Sequence, residues 1–112
     1  MKIDSTVSGG TLVLTVQAQR IDSAAAIRFK DAIRAETRKT QGRVVMDLHP
    51  VRFVDSSGLG AIVATMKQLG PERRLDLAGL TDDVDKVFRL TRMDTIFNIY
   101  DDAASAAAAT TG

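Results

Sequence analysis

Asp55-Ser56-Ser57-Gly58 gathers a carboxylate, two hydroxyls and a glycine in four consecutive positions, directly ahead of an amphipathic run. The segment from Val51 to Gly60 reads as a strand, a short connection and a turn that delivers the hydroxyls to a helix N-terminus. Ser and Asp are favoured there because their side-chain oxygens satisfy free backbone N–H groups. The same N–H groups, together with the helix dipole, seat an anion such as a phosphate. A serine in this place can be a cap, a nucleophile or a phosphate acceptor, and the turn alone does not choose among them.

The rest of the chain narrows the choice. A nucleophilic serine needs a base and a residue that orients it. The chain has no Gly-x-Ser-x-Gly and only one histidine, His49, at the end of a strand before Pro50. A Ser56–His49 pair therefore lacks both a third member and a supporting geometry, and no catalytic residue is assigned. Gly58-Leu59-Gly60 is not followed by Gly-Lys-Ser/Thr, so it does not read as a nucleotide loop; its glycines suit a tight turn and close helix–strand packing. Cysteine is absent, which excludes disulfides and zinc thiolates, and one histidine excludes a multi-histidine metal site. No metal and no cofactor is expected. A second acid, Asp22, also precedes a predicted helix. Helix starts in a parallel sheet often share one edge, so Asp22 and Asp55 are either two caps or the two flanks of a patch presenting Ser56.

The elements that position these residues follow from pattern. Lys2–Val7 and Thr11–Val16 flank Gly9-Gly10 and predict an opening hairpin. Asp22 and Ser23 start a helix over Ala24–Thr40, whose apolar stripe is Ala26, Phe29 and Ile33. Ile27 lies about 130° from the centre of that stripe, at roughly 100° per residue, and predicts either a scattered surface residue or part of a partner surface. Arg43–Leu48 predicts a central strand buried on both faces. Leu59, Ile62, Val63, Met66 and Leu69 recur at helical spacing until Gly70-Pro71. Arg74–Ala78 alternates as a strand, Thr81-Asp82-Asp83 caps a helix carrying Val84, Val87 and Phe88, and Ile96–Ile99 predicts a last strand. Ala103–Ala109 predicts a terminal helix that frays within a tail reaching residue 112. The expected core is Leu14, Phe29, Ile33, Val45, Leu48, Leu59, Ile62, Met66, Leu77, Val84, Phe88 and Phe97. The order β-β-α-β-α-β-α-β-α implies an α/β domain over residues 1–112, a mixed sheet packed by helices.

Composition excludes other classes. A net charge of +1 over 112 residues does not mark a nucleic-acid footprint, and scarce aromatics argue against base stacking. No apolar run reaches a membrane span, and the first residues lack a signal-peptide core. These features predict a soluble, cytoplasmic protein that binds no nucleic acid.

Val51-Arg52-Phe53-Val54-Asp55-Ser56-Ser57-Gly58-Leu59-Gly60 resembles the signature of the STAS domain of bacterial anti-sigma factor antagonists, a hydrophobic pair followed by Asp-Ser-Ser/Thr-Gly-Leu-Gly. Arg20-Ile21-Asp22-Ser23-Ala24-Ala25 is similar to the family's segment before its first helix, with Asp22 at the acidic position. Val45-Met46-Asp47-Leu48 resembles its central strand, and Phe88-Arg89-Leu90-Thr91-Arg92-Met93 its late helix end. The resemblance implies the STAS fold and a partner-switching regulator without enzymatic activity. It places phosphorylation on Ser56 by a GHKL-type serine kinase that is also the anti-sigma factor, with removal by a PP2C-like phosphatase. The unphosphorylated protein binds the anti-sigma factor and frees the sigma factor. Asp22, Ser23, Ile27, Asp55, Ser57 and Gly58 form the expected docking face. Ala18 and Arg20 depart from the family, standing where members often have glycine and an acid. The alternative is a non-switching STAS scaffold in a transporter complex or signalling assembly.

Overall fold

The computed structural model describes residues 1–109; the end of the predicted tail, 110–112, lies outside the described residues. Strands β1 (Lys2–Ser8) and β2 (Thr11–Gln17) form the predicted antiparallel hairpin. Gly9 and Gly10 make its turn at φ 55° and 82°, the left-handed backbone that a two-residue hairpin loop demands at both positions. Next come the two-residue strand β3 (Arg20–Ile21), helix α1 (Ala26–Thr37), β4 (Val44–Asp47), the two-residue β5 (Phe53–Val54), α2 (Ser56–Leu69) and β6 (Leu75–Ala78). The chain continues through α3 (Asp82–Leu90), a 3₁₀ turn at Met93–Thr95, β7 (Ile99–Tyr100) and α4 (Ala103–Ala108). The main sheet has the order β1-β2-β4-β6-β7, with β3 and β5 paired separately. Only β1 is antiparallel; β2, β4, β6 and β7 run parallel. The mixed α/β sheet is the one the alternation predicts.

Alternation along the strands divides the interior in two. Leu12, Leu14, Val16, Val44, Met46, Leu75 and Leu77 point to one face, where they meet Phe29 and Ile33 of α1, Ala61 and Ile62 of α2, and Val84 and Phe88 of α3. Val13, Val45 and Ala78 point to the other, where Ala106 of α4 closes over them. Ten of the twelve expected core residues are buried. The exceptions are Leu59 and Met66, half-buried because they flank the contact stripe of α2 while Ala61, Ile62 and Thr65 fill its centre.

Three local departures have physical causes. Helix α1 starts at Ala26 instead of Ala24, because Asp22 draws the chain into a turn: its Oδ1 accepts from the Ala25 N–H at 3.1 Å and its carbonyl from the same group at 3.0 Å. Ile96 and Phe97 lie outside the last strand: Arg92 adopts a left-handed conformation at φ 62° and the following 3₁₀ turn consumes the chain. Phe97 is nevertheless buried, edge-on to Phe88 with ring centroids 6.2 Å apart. The short strand β3 and its pairing with β5, the strand within the Val51–Gly60 segment, were not predicted, since two residues carry no periodicity.

The terminal helix, expected to fray, is docked over 103–108. Ala106 is fully buried, and the Arg43 guanidinium donates to the Ala106 carbonyl at 2.7 Å while pairing with buried Asp76 at 2.6 Å. Arg74 closes on the same carboxylate at 2.9 Å. A cation at the last carbonyls of a helix is where the macrodipole favours it.

Candidate functional site

Because β2 and β4 are parallel, their carboxyl ends share one edge of the sheet, the edge at which α/β folds collect ligands. The chain leaving β2 becomes β3 and then α1; the chain leaving β4 becomes β5 and then α2. In the β3–β5 pair Arg20 lies beside Phe53 and Ile21 beside Val54. Ile21 and Val54 turn inward and are buried, whereas Arg20 and Phe53 face outward. This small parallel ladder brings the starts of α1 and α2 together.

The start of α2 is the more tightly specified. Asp55 is its N-cap: Oδ1 accepts from the Gly58 N–H at 2.9 Å. Oδ2 reaches across and accepts from the Ser23 N–H at 3.2 Å. One carboxylate thus caps α2 and ties it to the turn before α1. Gly58 is buried where no side chain fits, since a Cβ there would collide with the Ile21 carbonyl oxygen and lie 3.0 Å from a Val54 methyl. Gly60 has nothing within 4 Å of such a Cβ. The first glycine of Gly-Leu-Gly is therefore required by close packing of α2 on β3, and the second is not.

Capping by Asp55 decides one of the alternatives left by the sequence: neither serine is the cap. Ser56 and Ser57 occupy the first two helical positions and are exposed. Asp22 lies in the turn between β3 and α1, its Oδ2 receiving the Arg20 Nε–H at 3.4 Å. Ser23 is exposed, and Ile27 is 69% exposed on α1, as its displacement from the apolar stripe predicts. His49 is engaged elsewhere, with Nδ1 3.0 Å from Asp47 Oδ2.

Two features of this surface escaped the sequence reading. The Arg20 guanidinium lies over the Phe53 ring at 4.6 Å from its centroid. Phe53 itself is 42% exposed; the sequence carries no signal of the stack, because Arg20 and Phe53 meet only through the β3–β5 pairing. On the outer side of α2, Leu59, Gly60, Val63, Ala64 and Lys67 form with Met93 an open groove of about 410 Å³. The spacing of Leu59, Val63 and Lys67 marks a second stripe, half-buried at Leu59 and Val63 and exposed at Lys67. Among the described residues no group of acids and histidine is placed to hold a metal ion, and no helix is long and apolar enough to cross a membrane.

The model of the STAS domain matches residues 2–106. This chain belongs to the STAS-domain family. Its sequence is 30% identical over 110 residues to BtrV of Bordetella bronchiseptica, provisionally named an anti-sigma factor antagonist, covering 97% of this chain and 94% of that one. It is 32% identical over 83 residues to the anti-sigma-B factor antagonist of Listeria monocytogenes, covering 73% of each. The crystal structure of an anti-sigma factor antagonist from Mycobacterium paratuberculosis superposes with a TM-score of 0.83 at 27% identity, covering 94% of this chain and 89% of that one. The STAS domain of this chain thus stands among anti-sigma factor antagonists.

Proposed function

We propose that this protein is a cytoplasmic anti-sigma factor antagonist whose binding is switched by phosphorylation of Ser56. Unphosphorylated, it docks on an anti-sigma factor and releases the sigma factor. The same partner, a serine kinase of GHKL type, transfers the γ-phosphoryl group of ATP to Ser56 Oγ: the Oγ–P bond forms, the bond to ADP breaks and the hydroxyl proton is lost. A PP2C-like phosphatase hydrolyses the phosphoserine and restores binding. The chain supplies a surface and an acceptor, needs no cofactor and performs no catalysis itself.

The observation that carries this reading is the division of labour at the turn. Asp55 caps α2 and anchors Ser23, so the exposed Ser56 hydroxyl is relieved of structural duty. A phosphate on it adds about −1.5 to −2 charges. The α2 N–H groups and dipole tolerate an anion at that point, while the carboxylate of neighbouring Asp55, and Asp22 one residue beyond β3, add like charge to the same edge. Modification then changes the surface without unfolding the domain. The docking face is Asp22, Ser23, Ile27, Asp55, Ser57 and Gly58, continued by the outer side of α2. Intact mass after incubation with ATP and the cognate kinase tests the assignment. Wild type and Ser57→Ala are expected to gain one phosphoryl group, and Ser56→Ala none; modification of Ser56→Ala, or none of wild type, would contradict it and favour the scaffold alternative.

A further inference from the structure

We infer that Arg20 is an intramolecular ligand for a phosphate on Ser56, exchanging Asp22 for the phosphate when the site is modified; the inference rests on the reading of Ser56 as the phosphoryl acceptor.

The guanidinium is poised rather than committed. Its bond to Asp22 is long, Nε to Oδ2 at 3.4 Å, and the Arg20 side chain is 63% exposed. An exposed ion pair of that kind contributes little. Arginine carries five N–H donors in a rigid fork, which leaves most of them for an acceptor of higher charge. Asp22 does not depend on Arg20, because its other oxygen is held by the Ala25 N–H at 3.1 Å. The exchange therefore unravels nothing.

Position follows from the β3–β5 ladder. Arg20 sits beside Phe53, three residues ahead of Ser56, and the stack on the Phe53 ring holds the guanidinium over β5 instead of letting it sweep through solvent. Immediately after Arg20, the Ile21 carbonyl accepts the Asp55 N–H at 3.4 Å and approaches Gly58 so closely that no side chain fits. Ser56 lies between those two contacts. The backbone of β3 is thus fixed against both flanks of the acceptor. Planar forks bind phosphate in a bidentate manner; a lysine would offer a point charge on a looser stem.

The consequence is a damped switch. Part of the phosphate charge is met within the molecule, so the phosphorylated form is penalised less by a partner than the same form without Arg20. The ligand role is read independently of any kinase, by installing phosphoserine at position 56 through genetic encoding and following the phosphorus NMR shift with pH. A nearby guanidinium favours the dianion. The second ionisation, near 6 for a free phosphoserine, is expected about half a unit lower in wild type than in Arg20→Gln, with Arg20→Lys between them. Coincident titrations of wild type and Arg20→Gln would overturn the inference. Calorimetry against the partner is expected to show the ratio of unphosphorylated to phosphorylated affinity rising about two- to fivefold in Arg20→Gln, the range an exposed pair supports; an unchanged ratio would also overturn it. Thermal unfolding of unphosphorylated Arg20→Gln should match wild type, which separates the ligand role from a structural one. Failure of Ser56 as acceptor would appear instead in the kinase reaction, with the encoded phosphoserine still titratable.

Discussion

At the carboxyl edge of the sheet, α2 begins on Asp55, whose carboxylate caps Gly58 and reaches Ser23. Helix α1 begins on Ala25, which has no side-chain cap. Asp22 holds only the turn before it, through the Ala25 N–H. The helix that carries Ser56 is fixed in place by three constraints, the cap, the cross-link to Ser23 and the glycine contact with Ile21. Its neighbour, which carries exposed Ile27, is held by its core stripe of Phe29 and Ile33. Rigidity is concentrated at the turn that presents Ser56, while the adjoining start of α1 exposes Ile27. Substitutions at the two starts should therefore differ in what they break.

The largest effect is expected at Gly58. A methyl group there meets backbone rather than a flexible side chain, so Gly58→Ala should cost at least the roughly 1–3 kcal/mol of an overpacked site. Gly60→Ala meets nothing and should stabilise by about 0.5–1 kcal/mol, since alanine is the better helix former. Urea unfolding of the pair measures both; equal effects would show that α2 does not approach β3 as described.

Next comes the cap. Asp55→Ala should cost about 1–2 kcal/mol through the lost N-cap, more than Asp22→Ala, which opens a turn and an exposed ion pair. Chemical denaturation ranks them, and the reverse order would make α1 the better fixed start. Ile27→Asp should change stability by less than about 0.5 kcal/mol, as expected for an exposed position, yet weaken partner binding at least tenfold if it lies in the docking face. Thermal unfolding and calorimetry on the same sample separate the two; a joint loss would place Ile27 in the core.

The smallest effect concerns a third helix start. Asp102 caps α4, accepting from the Ser105 N–H at 2.7 Å. That backbone bond, aided by the Ser105 hydroxyl, holds its carboxyl below the usual aspartate range against a small opposing desolvation. A lowered folded pKa means the stabilisation is complete above the ordinary aspartate value and is lost as pH falls through the lowered one. The protection of α4 amides, corrected for the intrinsic exchange rate at each pH, should accordingly fall as pH drops below the ordinary aspartate range, and Asp102→Asn should blunt that dependence.

Much of this was legible in the chain because it is local. Asp55-Ser56-Ser57-Gly58 is contiguous, so cap, exposed serines and buried glycine are written side by side, and the displacement of Ile27 follows from helical periodicity alone. What escaped is non-local or short. The β3–β5 ladder joins two dipeptides separated by 31 residues between Ile21 and Phe53, too brief for any alternation to show. The stack of Arg20 on Phe53 exists only because that ladder does. The alanine-rich terminus lacks large apolar residues, so nothing in its composition announced that small side chains let α4 lie close against Val13, Val45 and Ala78.

The central claim is that one phosphate on Ser56 opposes partner binding at this edge of the sheet. Calorimetric titration of phosphorylated and unphosphorylated protein against the anti-sigma factor tests it most directly. Burying an unpaired charge in an interface costs about 2–5 kcal/mol, so phosphorylation should weaken binding on the order of 30-fold to several thousand-fold. Arg20 draws the result toward the lower end, while Ser56→Ala should bind like unphosphorylated wild type. Equal affinities for the two forms would contradict the switch and leave a STAS scaffold in its place.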